Sequence, residues 1–567
     1  MPQAALKTPP KPLAPVPFNV PQAKRTTLEN GLRVVIIEDA RVPLVSFRLA
    51  FLSGDADDPA GSVGQTSALA AMLTEGTQNY SSRALAEKIE RLGAGLSASA
   101  SDDFTIVSAT ALALYTSEIL QLIAEIVFKP TFPENELDLY RRNTVEHLKF
   151  QRSQANFLAG EQTARILYGS HPYSRVSPTA AEVERITSED LASLHRSRFV
   201  ANNAVLIVVG DVEHDLFLND IREHFGEWRQ GPVEQRRSDR PKALAARKLT
   251  IVDRPGSAQS NIVLANLAIR RNDPDYFPLL VMNQVLGAGA SSRVFMNLRE
   301  EKGYTYGAYT RIDARKDSGD IEATAEVRTA VTGDSLKEFF YELERIRNEK
   351  VSPEELADAK NFLTGVFPIR AETQEGLTNL ILSQELHGLP ADYLNTYRDK
   401  VNAVNAADVA RAASKYISPG QMSIVIVGDA GEILEQARDH ADDVELFDTE
   451  GNQIDLAEYE ARLTGEAASF SGVWKLGLDF QGQEVPVTLT IEQSGNSVSG
   501  KIETALGDGE ITAGSVRGDS LSATANTEIQ GQSVEFVING KLEGEAISGT
   551  ISAAVIPDSL PFKGSRA

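Results

Sequence analysis

The order of apolar and polar positions divides the chain into two stretches of mixed strand and helix and an all-β tail. Residues 31–38 (GLRVVIIE) and 43–52 (PLVSFRLAFL) are short apolar runs rich in β-branched side chains, and they predict strands; a Gly54-Asp55 turn follows the second. Near residue 63 the period lengthens to that of a helix. It recurs over 82–92, with Ser81 or Ser82 as N-cap and Gly93 as the stop. Residues 95–112 alternate like strands, and 116–127, 133–151 and 157–167 read as helices.

The pattern then repeats. Residues 185–212 (RITSEDLASLHRSRFVANNAVLIVVGDV) and 403–430 (AVNAADVARAASKYISPGQMSIVIVGDA) are each a capped helix, a turn and an apolar strand ending in Val-Gly-Asp. Phe132-Pro133-Glu134 and Ser352-Pro353-Glu354 open matching helices at nearly the same offset. Two distant landmarks that agree imply a duplication. The expected class is α+β: two homologous α/β-sandwich repeats, each a mixed sheet with helices on one face, at 21–232 and 242–440. A Pro-rich extended arm (1–20) precedes them, a polar linker (233–241) joins them, and an acidic linker or short helix (441–468) follows. Over 469–567, alternating segments at a spacing of about ten residues predict a small antiparallel barrel or sandwich. Trp474 reads as its core plug.

Composition removes several functions. Lys and Arg total 56 against 79 Asp and Glu, a formal net charge of −23. That balance excludes a basic nucleic-acid surface and adsorption to anionic lipid. The absence of cysteine excludes disulfides, thiolate catalysis and Cys-ligated zinc. No run approaches the roughly 20 apolar residues that span a bilayer, so no membrane insertion is expected. Residues 1–17 contain no apolar signal-peptide core.

Two segments carry candidate chemistry. Residues 64–77 read GQTSALAAMLTEGT, and residues 286–310 read LGAGASSRVFMNLREEKGYTYGAYT. Together with the duplication they resemble the inverted-zincin peptidases, the group of pitrilysin, insulin-degrading enzyme and the mitochondrial processing peptidases. The resemblance covers roughly 20–440. In active members of that family a Gly precedes H-x-x-E-H, followed by Met-Leu and Gly-Thr; the two His bind zinc and the Glu polarises water. This chain keeps Gly64, Met72, Leu73, Gly76 and Thr77, but places Ser67 at the first His, Ala70 at the Glu and Ala71 at the second His. The family's third ligand corresponds by spacing to Glu146. Alanine has no donor atom and a neutral Ser is a poor one, so no zinc is expected in this chain. None of the seven His are three to five residues apart, so no single helix presents a pair.

In the second segment the resemblance assigns Arg299 and Tyr306 to the pair that faces the zinc across the family's chamber and contacts substrate. Arg can give two parallel hydrogen bonds to a peptide, and a Tyr hydroxyl can donate to a tetrahedral oxyanion. Arg293 reads as a structural residue at a helix start, and His171 as part of a turn.

The resemblance therefore implies a non-catalytic, substrate-binding subunit of a heteromeric zinc metallopeptidase. Its zinc would sit in a homologous partner subunit, and its substrate would be peptide or unfolded polypeptide. The alternative is a homodimeric scaffold or peptide-binding protein of the same fold without proteolysis. A periplasmic location is expected, with the cytoplasm as the alternative.

Overall fold

The Val-Gly-Asp strands lie inside two sheets. The computed structural model describes residues 19–233, 236, 238–464, 468–480, 483–504, 507–529, 532–553 and 559–567; nearly all of the arm expected over 1–20 falls outside them. The first sheet contains β1 (Lys24–Thr27), β2 (Arg33–Glu38), β3 (Leu44–Phe51), β4 (Gly95–Ala100), β5 (Thr105–Leu112) and β6 (Ala204–Gly210), in the order β1-β2-β6-β3-β5-β4. The second contains β7 (Lys248–Asp253), β8 (Gln259–Leu267), β9 (Thr305–Ala314), β10 (Gly319–Arg328), β11 (Ser423–Gly428), β12 (Asp443–Phe447) and β13 (Gln453–Ile454), in the order β13-β12-β7-β11-β8-β10-β9. β6 pairs parallel with β2 and antiparallel with β3; β11 pairs parallel with β7 and antiparallel with β8. The duplicated motif thus occupies the same place in both sheets. Every residue of β6 and β11 is buried, which explains why both read as continuous apolar runs without alternation.

Burial on both faces reveals an exchange between the repeats. In β2, Val34 and Ile36 face the first repeat's own helices, which contribute Leu69, Ile123 and Ile221 to that core. Val35 and Ile37 face the other way, onto Phe367, Leu377 and Ile381 of the second repeat. Reciprocally, Leu158, Ala159 and Leu167 of helix Ala155–Tyr168 cover Val263, Ala265, Val425 and Val427 of the second sheet. Each sheet therefore carries its own helices on one face and a helix of the opposite repeat on the other. Each large side chain buried there is worth about 1.5–3 kcal/mol, which makes the repeats one body.

Two segments expected as linkers are built into the fold. Within 233–241, Arg236 is 9% exposed and bonds Asp103 at 2.7 Å and Asp317 at 2.6 Å, one from each repeat. Beside it, Arg315 pairs with Asp102 at 2.6 Å and Asp320 at 3.2 Å. Over 441–464 the chain is not a solvated linker: β12 adds to β7 in parallel register, Leu456–Thr464 forms the short helix given as the other expectation, and Leu446 and Tyr459 are buried. The acidic composition hid this because edge strands and surface helices keep their charges outward.

The tail closes into an eight-stranded antiparallel barrel between residues 472 and 566. Phe470, Trp474, Leu489, Val516 and Ile538 fill it, and Trp474 Nε1 donates to the Phe470 carbonyl at 2.7 Å. The two similar pieces of sequence, 494–502 and 543–551, put Gly500 and Gly549 where a Cβ would meet a neighbouring carbonyl oxygen at 1.9 Å. The barrel is fastened to the second repeat by Arg517, which bonds Asp429 at 2.5 Å. Asp429 is the Asp of the second Val-Gly-Asp; its counterpart Asp211 is exposed.

Candidate functional site

Helix Gln65–Met72 carries the degenerate zinc segment. Gly64 precedes it with φ 87° and has no side chain to cap the first N–H groups. Two aspartates of the preceding turn cap them instead. Asp55 accepts from the Ser67 N–H at 2.9 Å and from Ser67 Oγ at 2.7 Å. Asp58 accepts from the Thr66 N–H at 3.2 Å and from the Thr66 hydroxyl. Burial pushes the Asp55 carboxyl up to about 6, against the lowering effect of the Ser67 bonds. The hydroxyl at the first-histidine position is thus spent on its own helix. Ala70 is 1% exposed within the core, and Ala71 is half-buried.

Glu146 lies on helix Glu134–Arg152, which turns Leu137 and Leu148 inward. Glu146 points outward, 58% exposed, and bonds Lys149 at 3.1 Å. Tyr140 of the same helix packs against the core instead; burial, aided by the charges of Asp55 and Asp58, pushes its phenol up to about 12. The residues present do not fit a catalytic zinc, because 67, 70 and 71 offer no ligand set and the carboxylate at 146 is paired with Lys149. Among the described residues, no group of three or more His, Cys, Asp or Glu side chains is arranged to hold a metal ion. Against helix Gln65–Met72 packs β4, the edge strand of the first sheet, whose outer side pairs with no strand among the described residues.

The second segment has unusual backbone geometry. Residues Met296–Glu301 form a π-helical turn, closed by the Lys302 N–H donating to the Asn297 carbonyl at 3.0 Å. Asn297 anchors the turn from inside, donating to Glu338 at 3.0 Å and Glu342 at 2.9 Å. Arg299 projects from it, 45% exposed, with its guanidinium carbon 5.0 Å from the centre of the Phe295 ring and a long 3.6 Å pair with Glu300. Tyr306 follows at the start of β9, the other edge strand. The β9–β10 register shifts between Ala325 and Val327, a bulge opposite Tyr306, and Tyr306 is 90% exposed. Bulges and π-turns re-aim side chains, and both occur preferentially at working sites. Arg293 is buried instead, and bonds Glu355 through two nitrogens at 2.7 and 3.0 Å.

Residues 33–175 match the family described as Insulinase (Peptidase family M16), and residues 185–363 match Peptidase M16 inactive domain. The chain belongs to the peptidase M16 family. Neither matched segment reaches the barrel. This M16 chain is 23% identical over 398 residues to "Uncharacterized zinc protease YmxG" of Bacillus subtilis, covering 68% of this chain and 93% of that protein. It is 22% identical over 411 residues to "Non-peptidase homolog YmxG" of Helicobacter pylori, covering 70% of this chain and 93% of that protein. Among solved structures, a peptidase M16 inactive domain from Pseudomonas fluorescens superposes with TM-score 0.68 at 26% identity, covering 72% of this chain and 98% of that one. No helix among the described residues is long and apolar enough to cross a membrane.

The sequence singled out both segments of the candidate site but not their local geometry. Tyr306 in isolation reads as a core strand aromatic, and the bulge that turns it outward has no signature beyond Gly307. The caps from Asp55 and Asp58 and the inward Tyr140 were also not foreseen, since each depends on a contact between separate elements.

Proposed function

We propose that this chain is the zinc-free, substrate-holding subunit of a heteromeric zinc metallopeptidase that acts on peptides or unfolded polypeptides. A homologous partner supplies zinc and the catalytic Glu; this chain supplies Arg299 and Tyr306. The observation that carries the reading is the contrast between the two segments. Ser67 is spent on capping its own helix, Ala70 is buried and Ala71 has no donor atom, while Tyr306 stands 90% exposed on a bulge. An exposed Tyr on a strained edge is poor for stability and suited to a site completed by another molecule. Peptide is held by strand addition at an unpaired edge such as β4, where backbone bonds give affinity with little sequence dependence. The periplasm is the proposed compartment, with the cytoplasm as the alternative.

The test is reconstitution. This chain is mixed with a homologue from the same source that carries H-x-x-E-H, and cleavage of a fluorogenic peptide is followed with and without chelator. The expected result is chelator-sensitive cleavage by the mixture and none by this chain alone. A mixture no more active than the homologue alone overturns the reading and favours the homodimeric scaffold. The relative described as a non-peptidase homolog supports that second reading.

A further inference from the structure

A cavity of about 860 Å³ opens on the first repeat, beside the N-terminus of helix Gln65–Met72, and shares no lining residue with segments 64–77 and 286–310. Arg175, Arg196, Arg198, Arg229 and Arg236 line it, against only Asp57 and Asp58 among the described residues. Such a concentration of guanidinium groups is unexpected in a chain with net charge −23. The acids do not account for it. Arg236 is committed to Asp103, Asp317 and Asp57. Arg198 bonds the Thr66 hydroxyl and shares Asp58 at 3.3 Å. Arg196 reaches out to Glu189 at 2.7 Å. Arg175, by contrast, donates only to carbonyl oxygens, of Ala56, Asp58 and Pro172, and Arg229 only to the carbonyl of Arg196. Neither has a carboxylate partner among the described residues. Asn203 lines the same cavity, is 2% exposed, and its Oδ1 has no hydrogen-bond partner.

We propose that this cavity binds a small phosphate ester, with Arg175 and Arg229 on its charged oxygens and Asn203 Oδ1 accepting from a hydroxyl or amino group of the esterified part. The planar fork of arginine matches phosphate oxygens in pairs. The volume lies in the range of about 300–1,000 Å³ typical of small-molecule sites. An orphaned, buried acceptor is costly, and a ligand that carries both phosphate and hydroxyl groups satisfies it along with the arginines. This site does not depend on the peptidase reading.

The test is calorimetric titration of the full chain with ADP, with pyrophosphate and with an Asp/Glu-rich hexapeptide, at about 0.15 M salt where surface charge is screened. The expected result is one site per chain, with ADP binding more tightly than pyrophosphate. Arg229→Glu weakens ADP at least tenfold; Arg229 is exposed and bonds only a carbonyl, so the fold survives, as circular dichroism will verify. Arg83→Glu makes the same charge change at a residue 89% exposed on helix Ser82–Arg91, outside the cavity lining, and leaves affinity within twofold. No heat with ADP or pyrophosphate at millimolar concentration overturns the proposal. So does an equal loss in both variants, which marks non-specific attraction. Binding of the hexapeptide alone overturns it in favour of an acidic peptide.

Discussion

Replacing Tyr306 with Phe separates folding from function in a way few substitutions allow. The side chain is 90% exposed, so removing its hydroxyl breaks no packing and strands no buried partner. The expected change in stability is within about 0.5 kcal/mol, a shift of at most about 2 °C in melting temperature for repeats of this size. In the proposed heteromeric peptidase the same hydroxyl would donate to the oxyanion. Loss of one such donor costs about 2.7–4 kcal/mol, or 10²–10³ in kcat. Arg299→Ala acts differently. It removes a charged hydrogen bond to the substrate backbone, worth about 1.5–3 kcal/mol, and its effect falls in kcat/KM. Arg299 is 45% exposed and its one ion pair among the described residues is 3.6 Å long, so its stability cost is also small. The assay is steady-state cleavage of a quenched fluorescent peptide by this chain mixed with its zinc-bearing homologue, with kcat and KM resolved and melting curves run on each variant alone. If Y306F keeps the parental kcat while its melting curve is unchanged, the Tyr does not complete the partner's site. If activity falls only in step with the melting temperature, its role is structural.

Four further outcomes follow from the geometry. Arg517→Leu leaves Asp429, 2% exposed, without its cation, and should cost about 3–5 kcal/mol of barrel attachment; a urea transition unchanged from the parent would refute the clamp. Grafting Ser67→His, Ala70→Glu and Ala71→His should yield well under one zinc per chain by elemental analysis, because Glu146 faces solvent beside Lys149. Ala70→Glu alone should destabilise by at least about 2 kcal/mol, since a carboxylate enters a position 1% exposed, and an unchanged melting point would contradict the burial. Burial pushes the Asp253 carboxyl up to about 6 from 3.8, so its contribution to stability is full below pH 3.8 and is lost as pH rises through 6, at most about 3 kcal/mol. Asp253→Asn should flatten that part of the pH–stability curve, and a curve of the same slope would assign it to other groups.

What the sequence disclosed was local or periodic. The Val-Gly-Asp runs located β6 and β11. Ser352 does cap helix Pro353–Arg370, accepting from the Glu355 N–H. The segments holding Ser67 and Arg299 were legible because short motifs tolerate reading one residue at a time. Hidden were the features made by distant residues meeting. Helix Ala155–Tyr168 shows a helical period, but the period does not say that its buried face lies on the other repeat's sheet. Residues 443–447 read as acidic linker because only Leu446 of that strand is fully buried. The arginine cavity gathers residues from 175 to 236 that no linear pattern connects.

The helix exchange between the repeats has a mechanical consequence. Pulling the two sheets apart would strip Val35 and Ile37 from one helix and Val425 and Val427 from the other at the same time, and would break the Arg236 bonds to both sides. No hinge can work through that seam without partial unfolding. A chamber assembled from such a chain and a homologue therefore opens between the chains, each moving as a stiff jaw, and the lifetime of the closed state is set by the contact between subunits.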